Sequence, residues 1–280
     1  MSELLRLRSV SKSYRRGSQE LCVLRDASLD VGVGEVVCVL AKHGAGKTTL
    51  LRIAAGIESA DAGVVSFEGQ ELQGLSGAER SRLRGERIAW AGKRGPRTGV
   101  QMFDYVCNPL LARAGGGAQP GNLITRWRRR RVYLRTVDGR AWAALERVGA
   151  GGCAEQRWET MSDWERALVE VAHGIAGEPT LLVVDDVADS LGIDETKDFI
   201  KLLREISKER GLAVLMSVSD ANATLLSDRI VRLSGGRLEQ SPQRPASKAP
   251  PPGGGNVLEF PGVGSDHERR EAGHAGGSNT

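Results

Sequence analysis

The chain has 280 residues, 40% of them hydrophobic, and a formal net charge of +4, enough length for one large domain or two modest ones. Its apolar runs fall short of the ~18–20 residues that span a bilayer, and the opening MSELLRLRSV lacks the apolar stretch of a signal peptide. Four scattered cysteines (Cys22, Cys38, Cys107, Cys153), with no C-x-x-C pair, argue against a disulfide framework or a thiolate metal site and predict reduced thiols in a cytosolic protein.

The first thirty residues alternate apolar and polar side chains (LLRLRSVSKSY, then LCVLRDASLDV), the period of antiparallel strands. Residues 35–40 (EVVCVL) predict a strand, and residues 48–55 predict a helix closed by Gly56. Between them runs Ala41-Lys42-His43-Gly44-Ala45-Gly46-Lys47-Thr48-Thr49, which fills every position of G-x-x-x-x-G-K-[ST] except the first. A loop between strand and helix wraps backbone N–H groups and a helix N-terminus around a triphosphate. His43, Gly44, Ala45, Gly46, Lys47, Thr48 and Thr49 are therefore candidate ligands of a nucleotide triphosphate. Lys47 would reach the β- and γ-phosphates, and Thr48 would hold Mg²⁺ through its hydroxyl.

Residues 63–69 and 88–91 predict short strands, and residues 102–111 begin a helical stretch. A Gly-rich, loop-like run over 113–125 precedes residues 126–140 (RWRRRRVYLRTVDGR), where seven Arg stand against one Asp. The positive charge thus belongs to one segment, and the remainder is slightly acidic. Residues 141–148 predict a helix ending at Gly149. Ser162-Asp163-Trp164-Glu165 has capping-box spacing and opens a helix through Ile175. Residues 180–184 predict a strand ending in Asp185-Asp186, and residues 194–210 an amphipathic helix with Phe199, Leu202, Leu203 and Ile206 on one face. Two more strands follow at 212–218 and 229–233. Helix and strand alternating around a phosphate loop predict a mostly parallel α/β sheet with helices on both faces. From about residue 241 Pro, Gly and Ser dominate, which predicts a disordered tail over 241–280.

An apolar strand ending in two acids completes a nucleotide site: Asp185 would reach Mg²⁺, and Asp186 would orient or deprotonate the attacking water. Together these motifs resemble the ATP-binding subunit of ABC transporters, nearest the lipoprotein-release and macrolide-export type. The resemblance runs from about Leu4 to Leu238, which implies an ATP-binding domain over 1–240. It implies a P-loop NTPase of ABC type, with an N-terminal antiparallel β subdomain and a helical subdomain over about 95–177. The stretch 113–140 would be an Arg-rich insertion in it. Tyr14 stands where the family stacks an aromatic on adenine, IAWAGKRG (88–95) at the glutamine loop and MSDWE (161–165) at the signature, making Ser162 a candidate ATP contact. LLVVDD (181–186) stands at Walker B, VADSLG (187–192) at the D-loop and MSVSD (216–220) at the switch.

The sequence departs from the family at the residues that cleave ATP. Lys93 replaces the sensing glutamine, Asp186 the catalytic glutamate, Ser219 the switch histidine and Gly192 the D-loop aspartate. A carboxylate retracted by one methylene is misplaced by about 1 Å, which can cost ~10²-fold, and a general base supplies roughly 10²–10⁴. In the signature, either Asp163 sets a negative charge beside the partner's γ-phosphate, worth on the order of 4 kcal/mol at ~4 Å, or Ser162 and Glu165 merely cap a helix. The resemblance implies a dimer, with itself or with another such ATPase, on a separate membrane permease at the inner face of the cell membrane. The expectation is therefore Mg-ATP binding with slow hydrolysis, or a non-hydrolysing ATP-binding module that regulates or assembles a membrane complex. The arginines from Arg126 to Arg135 read either as a solvated charge run or as a contact for anionic lipid headgroups. Nucleic acid is the disfavoured alternative.

Overall fold

The computed structural model describes residues 3–17, 19–93, 95–114 and 123–240, so the Pro/Gly-rich segment over 241–280 lies outside the described residues. The chain opens with two long strands, β1 (Glu3–Arg16) and β2 (Gln19–Gly32), which pair antiparallel as their alternation predicts. With β4 (Ala62–Phe67) and β5 (Gln70–Glu71) they form a four-stranded sheet in the order β2-β1-β4-β5. The second sheet holds β3 (Val36–Leu40), β6 (Ile88–Gly92), β7 (Leu181–Asp185), β8 (Ala213–Val218), β9 (Arg229–Ser234) and β10 (Arg237–Gln240). Its order is β10-β9-β3-β8-β7-β6, parallel throughout except for the final hairpin of β9 with β10.

The parallel strands explain their own composition. Every residue of β3 (VVCVL), β7 (LLVVD) and β8 (AVLMSV) is buried, as befits strands covered on both faces. Side chains of opposite parity enter different cores. Val36, Cys38, Leu182, Val184, Val214 and Met216 face the helices α3 (Met102–Ala114), α4 (Leu123–Arg147), α5 (Asp163–Ile175) and α6 (Ile193–Arg210). Val37, Val39, Leu181, Val183, Ala213 and Leu215 face α1 (Lys47–Ala54) and the antiparallel sheet. Leu50 and Leu51 of α1 are fully buried there, and truncating either to Ala would cost about 2–5 kcal/mol. A single backbone bond, Arg25 N–H to the Gly236 carbonyl at 2.7 Å, ties β2 to the hairpin turn of the parallel sheet.

Two elements differ from the sequence reading. Helix α2 (Gly77–Glu86) carries no buried side chain, so it has no apolar period to read. It stands on its Ser76/Glu79 capping box. The helix expected at 141–148 is longer than its sequence signal: the Arg-rich run before it is continuous with it as one α4 over Leu123–Arg147. Arginine is a good helix former, and the run contains no proline to stop it. The side chains of Arg126 to Arg131 lie outside the described set, whereas Arg135 and Arg140 are exposed.

Candidate nucleotide-binding site

Register brings the site together. In parallel strands the C-terminal ends line up, and here Leu40 pairs with Val218, Val184 with Met216, and Gly92 with Asp185. The loop from Ala41, the acids Asp185 and Asp186, and Ser219 therefore meet at one edge, with Lys93 further along it after β6. Ligands of open α/β sheets bind at this edge.

The loop itself is formed without its first glycine. Ala41 keeps an ordinary negative φ, its side chain sits in the core beside α1, and its N–H donates to the Val218 carbonyl at 3.1 Å. The conformation therefore asks nothing of Ala41 that glycine alone could give. Gly46 is different: φ is 102°, and a Cβ there would lie 2.6 Å from Val23 Cγ1. As N-cap of α1, Gly46 supplies no side-chain cap, so the first N–H groups of that helix remain available to an anion.

Lys47 is 4% exposed. Its ammonium donates to the Ala41 carbonyl at 3.1 Å and to Ser219 Oγ at 2.6 Å, with Asp189 at 3.8 Å and Asp186 at 3.9 Å. Thr48 Oγ1 donates to Asp185 Oδ1 at 3.1 Å. Burial, and then the neighbouring Asp186, push the Asp185 carboxyl above its usual range, so a cation is the natural complement to this pair of acids. A hydroxyl and a carboxylate oxygen side by side fit Mg²⁺, which takes hard oxygen ligands and completes its shell with phosphate oxygens and water.

Ser217, absent from the sequence reading, organises both acids. It is fully buried on β8, accepts from Asp186 N–H at 2.8 Å, and lies 3.3 Å from Asp185 Oδ1 and 3.2 Å from Asp186 Oδ1. It also holds Asp186 at φ 56°, a left-handed conformation that a non-glycine residue keeps only under constraint. Asp189 was likewise missed, because the D-loop was read for its departure at Gly192. Its carboxylate accepts from Ser219 Oγ at 3.0 Å and lies 3.7 Å from His43 Nδ1. Ser219 at the switch position and His43 of the phosphate loop thus share one carboxylate oxygen.

Three sequence-derived residues sit apart from this cluster. Tyr14 is 37% exposed, and its hydroxyl donates to Glu58 Oε1 at 2.5 Å and lies 3.3 Å from Thr49 Oγ1. This fixes the ring beside the loop, where a base could stack. Lys93 is exposed and lines a small cavity of about 80 Å³ with Trp158, Asp163, Arg166, Glu170 and Ser190. Ser162 commits its hydroxyl to Glu165, accepting from the N–H at 3.2 Å and donating to Oε2 at 2.9 Å, while Asp163 pairs with Arg166 at 3.1 Å. The capping box of the signature is thus formed, while the charge reading concerns a nucleotide on a second subunit.

Beneath Lys93 lies a further pair that the sequence hid. Glu170 of α5 is 3% exposed; it accepts from Gly92 N–H at 3.2 Å and from the Tyr105 hydroxyl at 2.9 Å. His173, one turn on, stacks against the Tyr105 ring at 4.2 Å. Burial pushes Glu170 up to about 7 and His173 down to about 4.

Residues 24–189 match the family model described as ABC transporter. The chain is 30% identical over 239 residues to the lipoprotein-releasing system ATP-binding protein LolD of Cereibacter sphaeroides, covering 85% of this chain and all of that protein. It is 31% identical over 270 residues to the sulfate/thiosulfate import ATP-binding protein CysA of Xanthomonas campestris pv. campestris, covering 93% of this chain and 73% of that one. Among solved structures, the dimeric structure of MJ0796, a bacterial ABC transporter cassette, matches with a TM-score of 0.72 at 21% identity over 85% of this chain and 97% of that one.

Proposed function

The chain belongs to the ABC transporter family as one of its ATP-binding subunits, and from that premise we propose that it binds Mg-ATP, hydrolyses it slowly, and passes the work to a separate membrane permease. The observation that carries this reading is the grouping of Lys47, Thr48, Asp185 and Asp186 at one sheet edge, with α1 opening towards them. In it, Lys47 meets the terminal phosphates, and Thr48 and Asp185 hold Mg²⁺, whose role is to screen phosphate charge. Asp186, anchored by Ser217, orients the attacking water with a shorter reach than glutamate. Tyr14 stacks the base. Ser219 and Lys93 offer weaker contacts than the family residues they replace, so chemistry is slow. The protein works as a dimer, with itself or a second such ATPase, at the inner face of the membrane.

A groove of about 960 Å³ supports the permease partnership. It is lined by Ile57 after α1, Trp90 of β6, and Pro109 and Ala112 of α3, with Arg82 of α2 at its border. An amphipathic helix from a permease suits such a mixed apolar and basic cleft. Purified protein with its permease in vesicles should turn over ATP below ~1 per second, under the usual enzyme range of about 1–10³, and Lys47→Ala should abolish even that. Turnover of several per second would refute the slow-ATPase reading. The second reading, a non-hydrolysing ATP-binding module, is favoured by the engagement of Lys47 with Ser219 and two carboxylates. Nucleotide binding with no turnover in the presence of the permease would decide for it. Contact between α4 and lipid headgroups is proposed only for the arginines from Arg126 to Arg135, and sedimentation with anionic against neutral vesicles tests it.

A further inference from the structure

The carboxylate of Asp189 has no part in the hydrolytic scheme above, yet anion-binding groups of the loop converge on it. It lies in the helical turn Ala188–Ser190 after β7, with its side chain only 6% exposed. A single oxygen, Oδ2, faces three donors from three different segments. Ser219 Oγ at the end of β8 donates to it at 3.0 Å, Lys47 Nζ at the start of α1 lies at 3.8 Å, and His43 Nδ1 in the loop lies at 3.7 Å. An ammonium, a hydroxyl and an imidazole arranged around one oxygen are the groups that would receive a terminal phosphoryl oxygen. In this structure an internal carboxylate occupies them.

Asp186 is the other carboxylate near Lys47, but it is 35% exposed, 3.9 Å away and tied to Ser217. Asp189 is the enclosed one, and its turn is anchored. Val187 and Ala188 are buried at 6% and 4%, and Thr196 Oγ1 reaches the Ala188 carbonyl at 3.5 Å. The turn is thereby held in place, so a terminal phosphate meets the carboxylate where it stands and has to turn it off its donors.

We propose that Asp189 is a specificity-determining residue that stands in for the terminal phosphate, so that the site accepts a nucleoside diphosphate readily and a nucleoside triphosphate only by displacing its own carboxylate. A diphosphate leaves the donors on Asp189 undisturbed. A triphosphate brings like charge against a buried acid and must take the same donors from it. The inference rests on the reading that the loop binds nucleotide, and it concerns only which nucleotide is preferred.

The test is equilibrium binding of ADP and of a non-hydrolysable ATP analogue, both with Mg²⁺, to the full chain by calorimetry. Asp189→Ala and Asp189→Asn are compared with the unaltered protein, the Asn variant keeping the packing of the turn. The unaltered chain should bind ADP at least as tightly as the analogue. Both variants should tighten the analogue at least tenfold while changing ADP less than threefold. A chain that prefers the analogue, with a ratio unchanged in the Asn variant, overturns this inference and leaves nucleotide binding intact. Failure of every protein to bind either nucleotide overturns the nucleotide reading itself, and the inference with it.

Discussion

Glu170 and His173 provide a prediction that can be worked through in numbers. Both are on α5 and both touch Tyr105, the first through its hydroxyl at 2.9 Å and the second through its ring at 4.2 Å. Burial drives their pKa values in opposite directions from the usual ones: Glu170 rises from 4.5 to about 7, and His173 falls from 6.5 to about 4. His173 Nδ1 is buried with no hydrogen-bond partner among the described residues, consistent with a neutral ring. Between pH 4.5 and 7 the folded chain retains a proton on Glu170 that the unfolded chain has lost, so stability falls as pH rises through that window. Between pH 4 and 6.5 the unfolded chain holds a proton that folded His173 refuses, so stability rises with pH. At ~1.4 kcal/mol per pH unit each effect amounts to about 3 kcal/mol, and over pH 4.5–6.5 they nearly cancel. Urea unfolding of the unaltered chain should therefore give a profile from these two groups that is flat across that window. Glu170→Gln should uncover the rise and His173→Phe, which keeps the ring stacked on Tyr105, the fall. The quantity to read is each variant's difference from the unaltered chain at each pH, which removes the titration of other carboxylates and any constant offset. If both differences stay level within about 1 kcal/mol from pH 4.5 to 7, the reasoning is wrong.

Three further outcomes are expected. Ser217→Ala removes a buried hydroxyl shared by Asp186 N–H and two carboxylates; it should lower stability by about 1–3 kcal/mol and slow hydrolysis by at least ~10-fold, as read by urea unfolding and phosphate release. Gly46→Ala places a methyl 2.6 Å from Val23 Cγ1 at a left-handed φ; nucleotide affinity measured by calorimetry should fall by at least ~10-fold, since the strain of ~1–3 kcal/mol lies in the loop itself. Ser76→Ala breaks the capping box of α2; the melting midpoint should fall with a loss of about 1 kcal/mol, and nucleotide affinity should not change.

How much of this was legible depends on what each residue's signal rests on. The phosphate loop, the acid pair and the Ser162 cap are local patterns, and the structure has each as a strand–loop–helix, a strand end and a capping box. The parallel strands announced themselves because burial on both faces demands continuous apolar runs. What was hidden depends on tertiary partners. Ser217 looks like an ordinary strand residue until β7 lies beside it, and Glu170 reads as a helix surface charge until Tyr105 and Gly92 arrive from elsewhere. Asp189 acquires meaning only when Lys47, Ser219 and His43 surround it. Helix α2 escaped because nothing on it is buried, and the part of α4 before residue 141 because its arginines carry no apolar period.

The alternation of side chains across the parallel sheet has a consequence for how this molecule can change over time. Even-numbered positions of β3 and odd-numbered ones answer to different neighbours, the large helices on one side and α1 with the antiparallel sheet on the other. The sheet is a party wall between two tenants. Either side can be refurbished, residue by residue, without disturbing the furniture of the other, because only backbone is shared. A single inserted or deleted residue within β3, β7 or β8 would exchange the tenants all along that strand. Drift in this chain is thus expected as substitutions within each room, with the lengths of these strands held constant and the nucleotide edge carried along unchanged.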